Sequence, residues 1–454
     1  MIKPRWQSIK IILGVTVLLN TTSPAWSGSD QKQESPPLPL TLKECVRIAL
    51  ETNPLPLAAG KGVLAAQEAA AAAQAPYYPD LGLQTRYAYW QQRAFLPSGL
   101  SIPGRPLPRL IGPTDDWMAG LKARYTLFDS GERRAHYLTA KARQGVAEEE
   151  KSRVIQDLVL GIHQGFYGLA AALETRQVAE KMLTQTKEHL RLAKERKAVG
   201  AVPLADVLRV QVETANSELA LVRADTLVRI SKGNLNTLMG LPPEMPLMIA
   251  AQGAGIFSPD QINLAQAFDQ AVQSRPEMKA ALKRIEVSKG GIDLAKSAYG
   301  PKLRAEGSYG RRDTDFIPRD EEWLAGISLE WPLFTGFYRQ HQLAKARAEL
   351  SKEEAETKQL LLKVRQEVWT AFSRLREAYE AVQSTQALVQ DAQESMRLAK
   401  ERYEVGAGTI TDLLDAQTAL ARALATKVET EWDYHTSQAV FDRSIGRIKE
   451  DGRS

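Results

Sequence analysis

The chain is written twice. Residues 191–201 read RLAKERKAVGA and residues 397–407 read RLAKERYEVGA, identical at nine of eleven positions and 206 residues apart. The same shift pairs Trp117 with Trp323, Phe128 with Phe334, Phe166 with Phe372, Asp206 with Asp412 and Gln211 with Gln417. Upstream of the tryptophans the shift is 222. There it pairs Leu42 with Leu264, Pro54 with Pro276, Pro79 with Pro301 and Leu81 with Leu303. The first copy therefore carries sixteen more residues between Leu81 and Trp117 than the second has in the same place. A co-linear series of matches is the mark of tandem duplication. Whatever one copy folds into, the other must fold into as well.

Each copy mixes two periodicities. Residues 117–127 place Trp117, Ala119, Leu121, Ala123, Tyr125 and Leu127 on one face and Gly120, Lys122, Arg124 and Thr126 on the other. Residues 81–91, 302–312 and 323–333 alternate in the same way, and an alternation of period two predicts strands. All four runs are about eleven residues long, the length a tilted transmembrane β-strand needs. Their aromatic residues gather towards the ends, as at a membrane interface.

Between the strand pairs the period changes. Ile155, Leu158, Ile162, Phe166, Leu169 and Leu173 step by three or four, the spacing of one helical face. No proline interrupts residues 131–200 or 336–406. At 1.5 Å per residue, each segment makes a rod of about 100 Å, too long for an ordinary globular helix and suited to coiled-coil-like packing. Residues 203–239 and 409–445 are expected to return as antiparallel helices, with Val199–Gly200 and Val405–Gly406 at the turns. A shorter helix is expected ahead of each strand pair, at 42–75 and 264–298. The layout is a first repeat at 28–240, a Pro/Gly-rich linker at 241–262, a second repeat at 263–446 and a tail at 447–454.

The first 27 residues have the layout of an export signal: Lys3, Arg5 and Lys10, then nine apolar residues at 11–19, then small residues at Ala25 and Ser27. Of the net charge of +5, these three residues supply three, leaving +2 for the rest of the chain. A nearly balanced body has no concentrated basic face for nucleic acid. The single cysteine, Cys45, excludes an intramolecular disulfide. The five histidines (His136, His163, His189, His341 and His435) form no close pair in sequence. No phosphate loop, GxSxG elbow or HExxH is present. No enzyme activity, metal or cofactor is expected.

Four outer-membrane strands cannot close a barrel, and each unpaired backbone group at an open edge in lipid costs several kcal/mol. Closure needs about eight strands at least, so a chain that inserts these runs must assemble as a dimer or a trimer. The charged strand face (Arg86, Lys122, Arg124, Arg304, Glu306, Glu330) would then point into a wet lumen. The alternative reading is a soluble extracytoplasmic coiled-coil scaffold or adaptor, with the sheet packed on a core.

The signal, the duplicated strand pair with its long helical hairpin, and the paired VGA turns resemble the TolC-type outer-membrane efflux proteins over most of the chain. The most specific stretch is 403–417, YEVGAGTITDLLDAQ, which is similar to the family's second helix–helix turn. The resemblance implies a mostly α, α+β fold: a β-barrel of four strands per protomer, closed in a homotrimer and continuous with a long periplasmic α-helical barrel. It implies a passive exit channel in the outer-membrane lipid, serving a tripartite efflux or type I secretion system. Its partners would be a periplasmic adaptor and an inner-membrane pump or ABC exporter. On that resemblance the segments 91–116 and 313–322 are extracellular connections.

In TolC-like channels a tyrosine, an arginine and two aspartates latch the periplasmic mouth. Tyr403, Asp412 and Asp415 match the tyrosine and both aspartates, and Asp206 matches the acidic partner in the first copy. Gly408 stands where the latch arginine would be, so Arg209, Arg402 or Lys197 must substitute, or packing alone holds the mouth. Asp206 and Asp412 also suit helix N-terminal capping. Asp412 and Asp415, three apart on one face, suit a lumenal acidic ring whose mutual repulsion raises their pKa values. Val199, Gly200, Ala201, Val405, Gly406 and Ala407 match the turns where adaptor tips dock.

Overall fold

The computed structural model describes residues 39–90, 115–251 and 255–448. The export signal, nearly all of the connection at 91–116 and the end of the tail lie outside the described residues. In the first copy, α1 (Leu42–Thr52) and α2 (Pro54–Ala72) precede β1 (Asp80–Tyr89) and β2 (Asp115–Phe128), then α3 (Glu132–Ala198) and α4 (Leu204–Leu238). In the second, α5 (Leu264–Ser274) and α6 (Pro276–Ser297) precede β3 (Lys302–Asp313) and β4 (Glu321–Glu330), then α7 (Tyr338–Glu404) and α8 (Ile410–Ser444). Both long helices have 67 residues and both return helices 35, so the repeat in sequence is a repeat in structure.

Each segment expected as one short helix is two. The breaks fall at Asn53–Pro54 and Arg275–Pro276, where proline lacks the N–H that would continue the first helix and is well placed to start the second. Asn53 caps α2 by accepting from the Leu55 N–H, and its amide donates to the Leu238 carbonyl at 2.8 Å, fixing the break onto α4. The strand β4 ends at Glu330, three residues earlier than its alternation suggests. Pro332 lies two residues beyond that end and has no N–H to offer a ladder.

The strands form one antiparallel sheet in the order β1-β2-β3-β4, with β2 joined to β3 across the two copies. The register sets Leu83 beside Leu121, Leu121 beside Tyr309, and Tyr309 beside Trp323. Most apolar residues of the four strands therefore share one face, Met118 and Leu324 being on the other. Arg86, Lys122, Arg124, Arg304, Glu306 and Glu330 share the other. Both outer edges, β1 and β4, lack a partner among the described residues.

Three apolar clusters hold the helices. Near the middle, Ile162, Phe166 and Leu169 of α3 pack with Leu235 and Met239 from the end of the α4 segment and with Val46 of α1. Val364, Val368 and Leu375 of α7 pack with Ala271 and Phe441. Towards the tips, Val210, Leu413 and Tyr403 form the third. Among the described residues no helix is long and apolar enough to cross a membrane.

Candidate functional site

The two hairpin tips have the same backbone. Ala201 N donates to Arg196 O and Gly200 N to Lys197 O, both at 2.9 Å; Ala407 N and Gly406 N repeat these bonds to Arg402 and Tyr403. This double bond pattern needs a left-handed residue, supplied by Gly200 at φ 75° and Gly406 at φ 76°. It leaves a valine at the apex of each tip, Val199 at 80% and Val405 at 79% exposure. Ala201 and Ala407 follow them. Each tip is thus a small exposed apolar knob.

Just above the knobs, the second hairpin is held by a residue absent from the candidate latch bases. Arg196 of α3 donates to the carbonyl oxygens of Tyr403 and Glu404, both at 2.8 Å, and its guanidinium lies 4.6 Å from the centre of the Tyr403 ring. Tyr403 is buried, so the ring is a firm platform. Arg209 donates to the Thr411 hydroxyl, joining α4 to α8. No side-chain hydrogen bond or ion pair holds Arg402 or Lys197 among the described residues. A Cβ at Gly408 would lie 3.1 Å from the Arg402 Cβ and 3.2 Å from the Tyr403 nitrogen, so this turn is too tight to carry an arginine without shifting. Arg196 repeats at Arg402 under the 206-residue shift. That match was the available signal for its importance.

The acidic residues separate by role. Asp412 makes a capping box with Thr409: its carboxylate accepts from Thr409 N, and Thr409 Oγ1 accepts from Asp412 N, both at 3.1 Å. The backbone N–H of Thr409 holds the carboxyl below its usual range, opposite to the rise expected of an acidic ring. Asp206 occupies the same position of α4, but there Pro203 is the cap residue and has no side chain to complete a box. Asp415 is exposed and has no hydrogen-bond or ion-pair partner among the described residues.

On the polar face of the sheet, Asp116 collects Arg312 at 2.6 Å, Arg86 at 3.0 Å and the Trp90 indole N–H at 3.0 Å. Arg304 pairs with Glu330 at 2.7 Å. Asp116 and Arg312 share the parity of Arg86 and Arg304 and were legible on that ground. Lys122 and Arg124 make no ion pair among the described residues. A groove of about 890 Å³ runs over Asp80, Arg124, Arg304 and Glu306. A second groove, of about 940 Å³, takes in Thr126, Lys302 and Arg304 and continues under α2, α3 and α6. The two grooves share Thr126 and Arg304 and so adjoin where the sheet meets the helices.

The model of the outer membrane efflux protein family matches residues 45–241 and 267–447. The chain belongs to that family. It is 26% identical over 412 residues to protein CyaE of Bordetella pertussis, covering 87% of this chain and 84% of that one. It is 24% identical over 384 residues to the pyoverdine export outer membrane protein OpmQ of Pseudomonas aeruginosa, covering 80% and 76%. The fold matches the outer membrane protein VceC from Vibrio cholerae with a TM-score of 0.75 at 20% identity, over 89% of this chain and 96% of that one. The protein is an outer-membrane exit channel with a helical periplasmic extension, and the soluble scaffold is set aside.

Proposed function

We propose that three copies close a twelve-stranded barrel and a helical tunnel, forming a passive conduit. A periplasmic adaptor docks at Val199–Ala201 and Val405–Ala407 and links the conduit to an inner-membrane pump or ABC exporter. The observation that carries this reading is a mismatch between the copies. Ile410 and Leu414 of α8 are buried, at 2% and 7% exposure, against the first hairpin, whereas their counterparts Leu204 and Leu208 of α4 are both 51% exposed. The same holds for Val428, buried, and Val222, exposed. On α7, Trp369 and Leu388 are exposed where their α3 counterparts His163 and Met182 are buried. An apolar face that is covered in one repeat and bare in the other calls for a second copy to cover it. The unpaired edges of β1 and β4 make the same demand in the sheet.

A contact from α7 of one copy to α4 of the next joins two different surfaces, and such contacts form a ring when the rotation between copies closes. Three copies rather than two follow from the family resemblance. Lys122, Arg124, Arg304 and Glu306 line the barrel, with Arg86 and Glu330 in ion pairs at the wall. Tyr403, Asp206, Asp412 and Asp415 surround the periplasmic mouth.

The test is assembly and conductance together. The purified protein should run as a heat-modifiable trimer from the outer-membrane fraction and open pores in planar bilayers. Recovery as a soluble periplasmic monomer would end the proposal.

A further inference from the structure

The two repeats treat one hollow differently. In the first, the Asn236 amide donates to the carbonyls of Pro243 and Met245, at 3.3 and 2.8 Å. Leu247 is buried there in the cluster that holds Leu169, Leu235 and Met239. The stretch that follows α4 thus folds back over the end of its own helix. The shift of 206 turns Asn236 into Asp442 and the three apolar residues into Leu375, Phe441 and Ile445. It turns residues 243–247 into 449–453, Lys-Glu-Asp-Gly-Arg, a sequence with no apolar side chain to take the place of Leu247.

In the second repeat these residues line a groove of about 360 Å³ on α5, α7 and α8, within the helical extension. One wall is firmly held. The Tyr434 hydroxyl donates to the Phe257 carbonyl at 2.9 Å and accepts from the Phe257 N–H at 3.1 Å, which leaves the Phe257 ring 69% exposed. Such a groove is formed before anything enters it.

Its polar groups lack partners. Asp442 is 4% exposed, and its carboxylate accepts no hydrogen bond among the described residues. Its ion pair with Arg447 is long, at 3.9 Å. A buried acceptor without a donor costs about 1–3 kcal/mol, so an occupant that brings a donor gains that much. Gln266, Gln270 and Gln438 line the same groove, and their amides are also without hydrogen bonds among the described residues. Each amide both donates and accepts, as a peptide backbone does.

We infer that this groove docks a short peptide segment of a periplasmic partner protein, one that carries a basic residue beside a leucine-sized apolar one. The base supplies the donor that Asp442 lacks. The apolar side chain takes the place that Leu247 fills in the first repeat, and the glutamine amides meet the backbone of the segment. An acidic segment, like the first repeat's own stretch with Glu244, is rejected by the buried carboxylate. The groove is complete within one chain and does not need the ring.

The experiment measures binding of two labelled heptapeptides to the purified full-length protein by fluorescence anisotropy. One is PPEMPLM, residues 242–248 of the first repeat; the other is PPKMPLM, with lysine for the glutamate. The parent should bind PPKMPLM at least about tenfold more tightly than PPEMPLM, the scale of one charged hydrogen bond. Asp442→Asn restores the amide that Asn236 has and should bring the two within about twofold. Phe257→Ala, at an exposed ring, should weaken PPKMPLM about tenfold, and it decides the matter if Asp442→Asn does not fold. No binding of PPKMPLM to the parent, or an unchanged preference in Asp442→Asn, overturns the inference. So does binding of N-acetylglucosamine oligomers in place of the peptide, which would make the groove a sugar site. Peptide binding that appears only once residues 449–454 are removed would make the chain's own tail the occupant and overturn it equally.

Discussion

Arg196 and Tyr403, contributed by opposite copies of the repeat, form a single joint: the guanidinium donates to the tyrosine carbonyl at 2.8 Å while lying 4.6 Å from the centre of its ring. The carbonyls it meets are the last of α7, where the helix has spare acceptors and a partial negative charge. Arg196→Ala should cost the tip about 2 kcal/mol in charged hydrogen bonds and ring contact. Arg196→Lys should recover less than half, because an ammonium has no planar fork to span two carbonyls. Hydrogen exchange of the amides at 403–407 reads this directly. Equal protection in the parent and Arg196→Ala would show the joint to be idle.

The two faces of the sheet should respond differently to charge. Leu121 lies on the apolar face beside Leu83 and Tyr309, so Leu121→Arg should destabilise the assembled barrel by about 2–4 kcal/mol near the bilayer midplane. Lys122, one residue on, lies on the opposite face beside Ser308, and Lys122→Glu should leave assembly intact and shift ion selectivity towards cations. Heat-modified gel mobility and reversal potential separate the two. Equal loss of assembly would mean the faces are wrongly assigned.

Sequence periodicity made this architecture legible because its elements are long. An eleven-residue alternation and a 67-residue helical face leave little room for another assignment, and duplication tested each against its copy. The paired proline breaks were less visible: Pro54 and Pro276 sit inside good helical periodicity, and a first-turn proline looks the same whether it starts a helix or kinks one. The joint at the mouth was the hardest to read. Gly408 showed that the expected arginine was missing, but the arginine that contacts this tip, Arg196, lies on α3, more than 200 residues away. Arg196 donates to backbone carbonyls, which carry no sequence signal. Asp412 was ambiguous for a related reason, since a capping aspartate and a pore-lining one occupy the same place after a turn.

Acid should loosen the seam between α3 and α8. Burial pushes the His163 imidazole down to about 4, and His435, ringed with it around Tyr167, is lowered for the same reason. A histidine held neutral gives its full stabilisation above its ordinary pKa of about 6.5 and loses it as pH falls towards 4. Asp442 runs the other way: burial raises it to about 6, so acid relieves it. From pH 7 to pH 5 the His163 contribution should fall by about 2 kcal/mol per copy. His163→Leu should melt with a smaller difference between those two pH values than the parent. An unchanged difference would place the acid sensitivity elsewhere.

The capping box at Asp412 divides the acidic mouth into two separable effects. Its carboxylate is already engaged by the Thr409 N–H, so Asp412→Ala should cost about 1 kcal/mol of helix stability and act on the pore only through the turn. Asp415 has no such engagement. Three copies around one lumen, at separations of about 5–8 Å, would repel each other by about 1 kcal/mol per pair in wet surroundings. A multivalent cation relieves that repulsion by binding, which makes it a blocker. Divalent or trivalent cations on the periplasmic side should therefore block single-channel current in the parent and in Asp412→Ala, and fail to block Asp415→Ala. If Asp415→Ala is blocked as readily as the parent, the residue faces outward from the tunnel, and the mouth is closed by packing and by the Arg196 joint alone.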